Sequence, residues 1–120
     1  MSAPIKRVEK PWGYELIFAK TDQYVGKVLH INKGHQLSLQ YHREKEETIF
    51  VYHGVMKFLF EEKKGKPPSE IILKSGEAHH IPPGHQHRMT ALEDCDIFEV
   101  STPQLDDVVR IQDTYGRVTK

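Results

Sequence analysis

Short runs of apolar and β-branched residues, broken at brief intervals by Gly, Pro, Asn or Asp, make up most of this chain. The pattern predicts strands over Tyr14–Lys20, Tyr24–Asn32, Leu37–His42, Glu47–Gly54 and Val55–Glu62, then Ser69–Lys74, Glu77–Pro82, His85–Ala91, Cys95–Ser101 and Asp107–Asp113. Val, Ile, Phe and Tyr enrich these runs, as a pleated, half-buried surface requires. Residues 1–12 show no period and end in the turn-like Lys10-Pro11-Trp12-Gly13. Residues 61–70, EEKKGKPPSE, read as an exposed loop in which Lys63, Lys64 and Lys66 are solvated. The run QLDDVVR at 104–110 holds at most one helical turn. About ten short strands without repeats or a linker predict an all-β sandwich or barrel of the jelly-roll type.

Composition narrows the function classes. A chain of 120 residues is one domain, 1–120, with a single substantial core. Seventeen basic and seventeen acidic residues balance to a formal charge of zero, so nothing global favours nucleic acid or an anionic membrane. Eight His residues make the charge rise below neutral pH. Cys95 is the only cysteine, which excludes an intrachain disulfide and a Cys-based zinc framework and leaves it as a small buried hydrophobe. No apolar run approaches the roughly 20 residues of a membrane span, and MSAPIKRVEK lacks a signal peptide's apolar centre, so a cytoplasmic location is the default expectation.

The candidate chemistry lies in Gly34–Gly54, GHQLSLQYHREKEETIFVYHG. Side chains alternate across a strand, so Ser38, Gln40 and His42 share one face while Leu37, Leu39 and Tyr41 share the other. Glu47, Ile49 and Val51 form the matching face of the next strand. The polar run Arg43-Glu44-Lys45-Glu46 reads as a hairpin loop, with His42 and Glu47 at its neck. An inward carboxylate is costly unless paired or bound to metal. In Gly76–His87, GEAHHIPPGHQH, two prolines and Gly84 impose a tight turn, after which His85 and His87 share a face. One of these two histidines completes a set with Gln40, His42 and Glu47, and two nitrogen plus two oxygen donors suit a borderline divalent ion.

These residues resemble the cupins. Gly34-x5-Gln40-x-His42-x4-Glu47-x6-Gly54 is similar to the first cupin motif, with Gln40 standing for its first His. Gly76-x5-Pro82-x-Gly84-x2-His87 is similar to the second, over residues 76–91, with Ala91 in place of the closing Asn. The resemblance implies a cupin-type jelly-roll barrel with metal ligands Gln40, His42, Glu47 and His87, and with His35 and His85 nearby. A closer resemblance, over nearly the whole chain, is to the type II mannose-6-phosphate isomerases, found alone or as the C-terminal part of bifunctional guanylyltransferases. It rests on Lys10-Pro11-Trp12-Gly13, on Gly26-Lys27-Val28, on Leu37-Ser38-Leu39-Gln40-Tyr41-His42, and on a tail at 106–117, DDVVRIQDTYGR. The family usually carries a His-rich loop, an Arg and then Glu-His-Trp after the first motif; this chain instead has Arg43-Glu44-Lys45-Glu46-Glu47-Thr48-Ile49, which bears on substrate identity.

The resemblance implies isomerisation of mannose 6-phosphate and fructose 6-phosphate through an enediolate, with one divalent ion per chain: zinc first, with Mn, Co, Ni or Fe as alternatives. An unliganded group must move the proton, and the candidates are His85, His35 and Glu99. Lys27, Arg110 and Arg117 are the candidate phosphate partners, weighed against a plain role as surface cations. Trp12 and Tyr14 are placed to stack on a sugar, or Trp12 to fill the core. His79 and His80 fall outside the ligand set. Two further readings stay open: a metal cupin of other activity, an oxygenase or a sugar-nucleotide-modifying enzyme, and a non-catalytic sugar- or effector-binding module. The small-molecule partner is a sugar phosphate, with no nucleic acid and no membrane. A homodimer is expected, through exchange of the N-terminal arm, 1–12, or through sheet packing.

Overall fold

The computed structural model describes residues 1–119. Among them it holds eleven strands and no helix: β1 (Lys6–Lys10), β2 (Gly13–Lys20), β3 (Val25–Ile31), β4 (Leu39–Tyr41), β5 (Glu47–His53), β6 (Val55–Phe60), β7 (Ser69–Lys74), β8 (Ala78–Ile81), β9 (His87–Ala91), β10 (Cys95–Ser101) and β11 (Val109–Gln112). They form two antiparallel sheets, ordered β1-β2-β3-β10-β5-β8 and β11-β4-β9-β6-β7. This is the expected all-β jelly roll. Among the described residues no helix is long and apolar enough to cross a membrane.

Alternation sets the core. Glu47, Ile49 and Val51 of β5 are buried while Phe50 and Tyr52 are exposed, and in β10 Cys95, Ile97, Glu99 and Ser101 are buried against exposed Phe98 and Val100. Leu29, Ile31, Ile49, Val51 and Ile97 from one sheet pack on Met56, Phe58, Leu73, Met89 and Ala91 from the other. Each such Leu, Ile, Val, Met or Phe side chain, fully removed from water, stabilises the fold by about 1.5–3 kcal/mol.

Three expectations need correction. Residues 6–10 are not an unpatterned arm but β1, paired residue for residue with β2 of the same chain, from Lys6↔Ile17 to Lys10↔Gly13. Residues 43–46 do not close a hairpin, because β4 pairs with β9 and β11 whereas β5 pairs with β10 and β8. The segment instead carries the chain from one sheet to the other. Nor does alternation hold at the start of the first motif: Leu37 joins the core while adjacent Ser38 is also buried, and the strand proper begins only at Leu39.

Gly54 is a second crossing point, joining β5 of one sheet to β6 of the other in a single residue with φ of 100°. A Cβ there would lie 2.3 Å from Asp94 O and 2.9 Å from Cys95 Sγ. Gly76, at φ 90°, has open space instead. We expect Gly54→Ala to destabilise the protein by more than about 2 kcal/mol and Gly76→Ala by only about 1 kcal/mol, compared by urea unfolding. Equal costs would show that backbone conformation alone, and not the close approach, governs position 54.

Candidate metal centre

The two crossings bring the motifs together. The Pro82-Pro83-Gly84 turn donates its Gly84 N–H to His42 O at 2.6 Å, and Gln40 lies opposite His87 in the β4–β9 pairing. Glu47 Oε1 then faces His42 Nε2 at 3.3 Å and His87 Nε2 at 3.2 Å, and these ligand atoms all lie within 4.8 Å of one another. All three residues are at most 4% exposed.

Both rings are fixed from behind. His42 Nδ1 donates to Asp107 O at 2.5 Å and His87 Nδ1 to His85 O at 3.0 Å, so each imidazole turns its Nε2 lone pair toward Glu47. His42 Nε2, His87 Nε2 and both Glu47 oxygens are buried without a hydrogen-bond partner. Buried acceptors that face one another repel unless a cation joins them, and two imidazoles with a carboxylate are a suitable donor set for a divalent ion. Gln40 is half-buried, and its Oε1 accepts the Ser38 hydroxyl at 2.7 Å.

A cavity of about 890 Å³ opens beside this corner, with Gln40, His42, Lys45 and Glu99 in its wall. Glu47 and His87 lie outside that lining; His87 instead borders a smaller cavity of about 270 Å³ that also holds His79, His80 and His85. Lys27, Arg110 and Arg117 all line the larger cavity, as does Lys10. Lys27 Nζ lies 3.5 Å from Glu15 Oε2 and 4.0 Å from Glu99 Oε2. Arg117 grips Asp113 through Nε at 2.8 Å and through a second guanidinium nitrogen at 3.1 Å, while Arg110 Nε is buried and unpartnered. Burial lowers the Lys10 ammonium; Glu15 opposes this, and the nearby charges of Lys27, Arg110 and Arg117 lower it further. Lys and Arg side chains outnumber the acidic Glu15, Glu99, Asp106 and Asp107 in the cavity wall, so its field is net positive.

The acid–base candidates separate by position. Glu99 lines the large cavity, and burial followed by the Glu47 charge pushes its carboxyl above the ordinary range against Lys45 and Lys27. His35 is stacked on Tyr115 with Nδ1 2.6 Å from the Tyr115 hydroxyl, and His85 Nδ1 donates to Glu61 O at 2.7 Å; neither lines that cavity. Trp12 is a core residue that also borders the cavity, whereas Tyr14 stacks on His30 under the Arg7 guanidinium and does not line it.

Two contributors escaped the sequence reading. Lys45, read from sequence as part of a hairpin loop, is 4% exposed: its Nζ donates to Glu99 Oε2 at 3.2 Å and lies 3.1 Å from Glu47 Oε2, without hydrogen-bond alignment to the latter. Burial works against its charge, yet Glu99 and Glu47 hold the ammonium well above its usual value. The signal was available, since residues two apart in an extended segment share a face. Asp107 had no local signal; its carboxylate accepts the backbone N–H groups of Arg43, Glu44 and Lys45 at 3.0, 2.7 and 2.9 Å, which pins the crossing segment.

Comparison with known proteins agrees with this picture. Residues 3–113 match the family model described as mannose-6-phosphate isomerase C-terminal. The xanthan biosynthesis protein XanB of Xanthomonas campestris pv. campestris is 29% identical over 117 residues, 93% of this chain and 24% of that protein. Mannose-1-phosphate guanylyltransferase of Escherichia coli strain K12 is 34% identical over 123 residues, 94% of this chain and 23% of that protein. The chain thus spans about a quarter of the length of these relatives. Among solved structures, KdgF from Halomonas superposes with a TM-score of 0.69 at 20% identity, covering 86% of this chain and 90% of that one, a likeness of fold.

His42→Ala and Glu47→Gln are each expected to abolish one-to-one divalent metal binding in calorimetry, and Asp107→Ala to weaken it about tenfold or more by loosening the crossing segment. Asp107 also sets an acid limb. Partial burial opposes its ionisation, but the three backbone N–H groups hold its carboxyl below the usual value. Its contribution to stability is therefore complete above the unfolded value of about 3.9 and is lost as pH falls through the lower folded value. Urea unfolding should show a constant gap between the protein and Asp107→Asn above about pH 5 that narrows on acidification; a gap that widens would refute the clamp.

Proposed function

Since the chain belongs to the mannose-6-phosphate isomerase C-terminal family, we propose that it is a metal-dependent aldose–ketose isomerase that interconverts mannose 6-phosphate and fructose 6-phosphate. One observation carries the reading: a buried two-imidazole, one-carboxylate donor set adjoins a cavity lined by Lys10, Lys27, Arg110 and Arg117. His42, Glu47 and His87 would hold the ion, with Gln40 as a fourth donor; zinc suits this set first, and Mn, Co, Ni or Fe next. When bound, a divalent ion supplies Lewis acidity at the sugar carbonyl.

The chain's own residues supply the rest. The four cations receive the phosphate dianion and so place the sugar with its first two carbons toward His42 and Glu99. Glu99, in the cavity wall with its carboxyl held above the ordinary range by burial and the Glu47 charge, takes the proton from the second carbon of the aldose. The same carboxyl returns it to the first carbon of the enediolate, while the hydroxyl and carbonyl oxygens exchange their proton. Buried Lys45 keeps positive charge beside Glu99 throughout that exchange. The sugar phosphate is a cytoplasmic metabolite in this reading. The apolar outer face of β5 and β10, with Phe50, Tyr52, Phe98 and Val100 exposed, supports a homodimer through sheet packing, and β1 pairs within its own chain rather than reaching across as an arm.

Purified protein supplied with each divalent ion should turn over mannose 6-phosphate. His42→Ala should abolish activity, Glu99→Gln should lower kcat about 10²–10⁴-fold with little change in KM, and Arg110→Ala should mainly raise KM. Metal binding without turnover of any hexose phosphate, but with measurable ligand affinity, would replace the isomerase with a sugar-binding module.

A further inference from the structure

Five buried side chains of alternating sign run along the inner face of the β2-β3-β10-β5 sheet. Glu15 on β2 meets Lys27 on β3 at 3.5 Å; Lys27 meets Glu99, its direct cross-strand partner on β10, at 4.0 Å. Glu99 meets Lys45 at 3.2 Å, and Lys45 meets Glu47 on β5 at 3.1 Å. All five are at most 8% exposed. Each lysine is thus shared between two carboxylates. One end of the row is a metal donor and the other borders the cationic part of the cavity.

We propose that this row couples the two halves of the site, so that metal capture by Glu47 readies Lys27 for an anion and an anion on Lys27 readies Glu47 for the metal. The inference rests on the metal-and-phosphate reading above and adds a linkage to it. A carboxylate drawn to a divalent cation attracts Lys45 less, and the cation repels the ammonium. Lys45 then pairs with Glu99 alone. Glu99, so satisfied, loosens the row's longest contact, the 4.0 Å contact to Lys27. Lys27 becomes available to the incoming anion, and linkage requires the reverse effect to have the same size. The row costs desolvation in return, because a buried charge that loses its partner is strongly unfavourable, so the charges move between partners rather than standing alone.

Calorimetry with Mn²⁺ and inorganic phosphate on the full chain tests this without turnover. Each ligand is expected to tighten the other by the same factor, about fivefold or more. In Lys45→Met the factor should fall toward one. Glu99→Gln, which breaks the row with almost no change in volume, should do the same and decides the matter if Lys45→Met does not fold. Absence of mutual tightening in the unaltered protein overturns the proposal. So does tightening that survives intact in the variants, since phosphate would then be reaching the ion directly. Coupling without isomerase turnover would leave this linkage standing and the isomerase reading fallen; turnover without coupling would do the opposite.

Discussion

The buried carboxylate of Glu47 constrains everything around it. It sits 2% exposed, with two imidazole nitrogens on one oxygen and an ammonium near the other. A negative charge so far from water is tolerable only among cations or donors held in place, so the surrounding chain must be rigid where it meets this group. That requirement explains why both histidines are tied through Nδ1 to backbone carbonyls and why the segment before Glu47 is pinned by a carboxylate from the tail.

The jelly roll meets the requirement by changing sheets on both sides of β5. Residues 43–46 bring the chain across before it and Gly54 takes the chain back after it. Glu47 therefore enters from one sheet, while His87 enters from the other and His42 follows β4 of that same sheet. The candidate ion site lies at the seam between the layers, where a cavity forms beside the core of Ile49, Phe58, Met89 and Ile97. Packing and chemistry share one interior, since Trp12, Leu29 and Leu37 belong to the core and also line the cavity.

Much of this was legible beforehand, and the failures have physical causes. Strands with one face buried, such as β5 and β10, declared themselves through strict alternation, and the two motifs located His42, Glu47 and His87. β1 was invisible because Lys6, Arg7, Glu9 and Lys10 surround a single Val8; an edge strand whose inner face borders a polar cavity has no hydrophobic period to read. The crossing at 43–46 imitated a hairpin because sequence shows that the chain turns, but not which partner the next strand chooses. Lys45 was hidden in a run that reads as a polar hairpin loop; charged loop residues are usually solvated, but here the carboxylates of Glu47 and Glu99 hold it buried. The Asp107 contacts span more than sixty residues, a separation across which local pattern carries nothing.

That long reach has a consequence for how the protein comes into being. As the nascent chain leaves the ribosome, both histidine motifs emerge well before Asp107, whose carbonyl fixes one ring and whose carboxylate fixes the segment between. Until that residue arrives the imidazole of His42 is free to swivel, and an encounter with an ion has no preorganised corner to settle into. Assembly of the centre thereby waits for the segment just before β11, which acts as its latch.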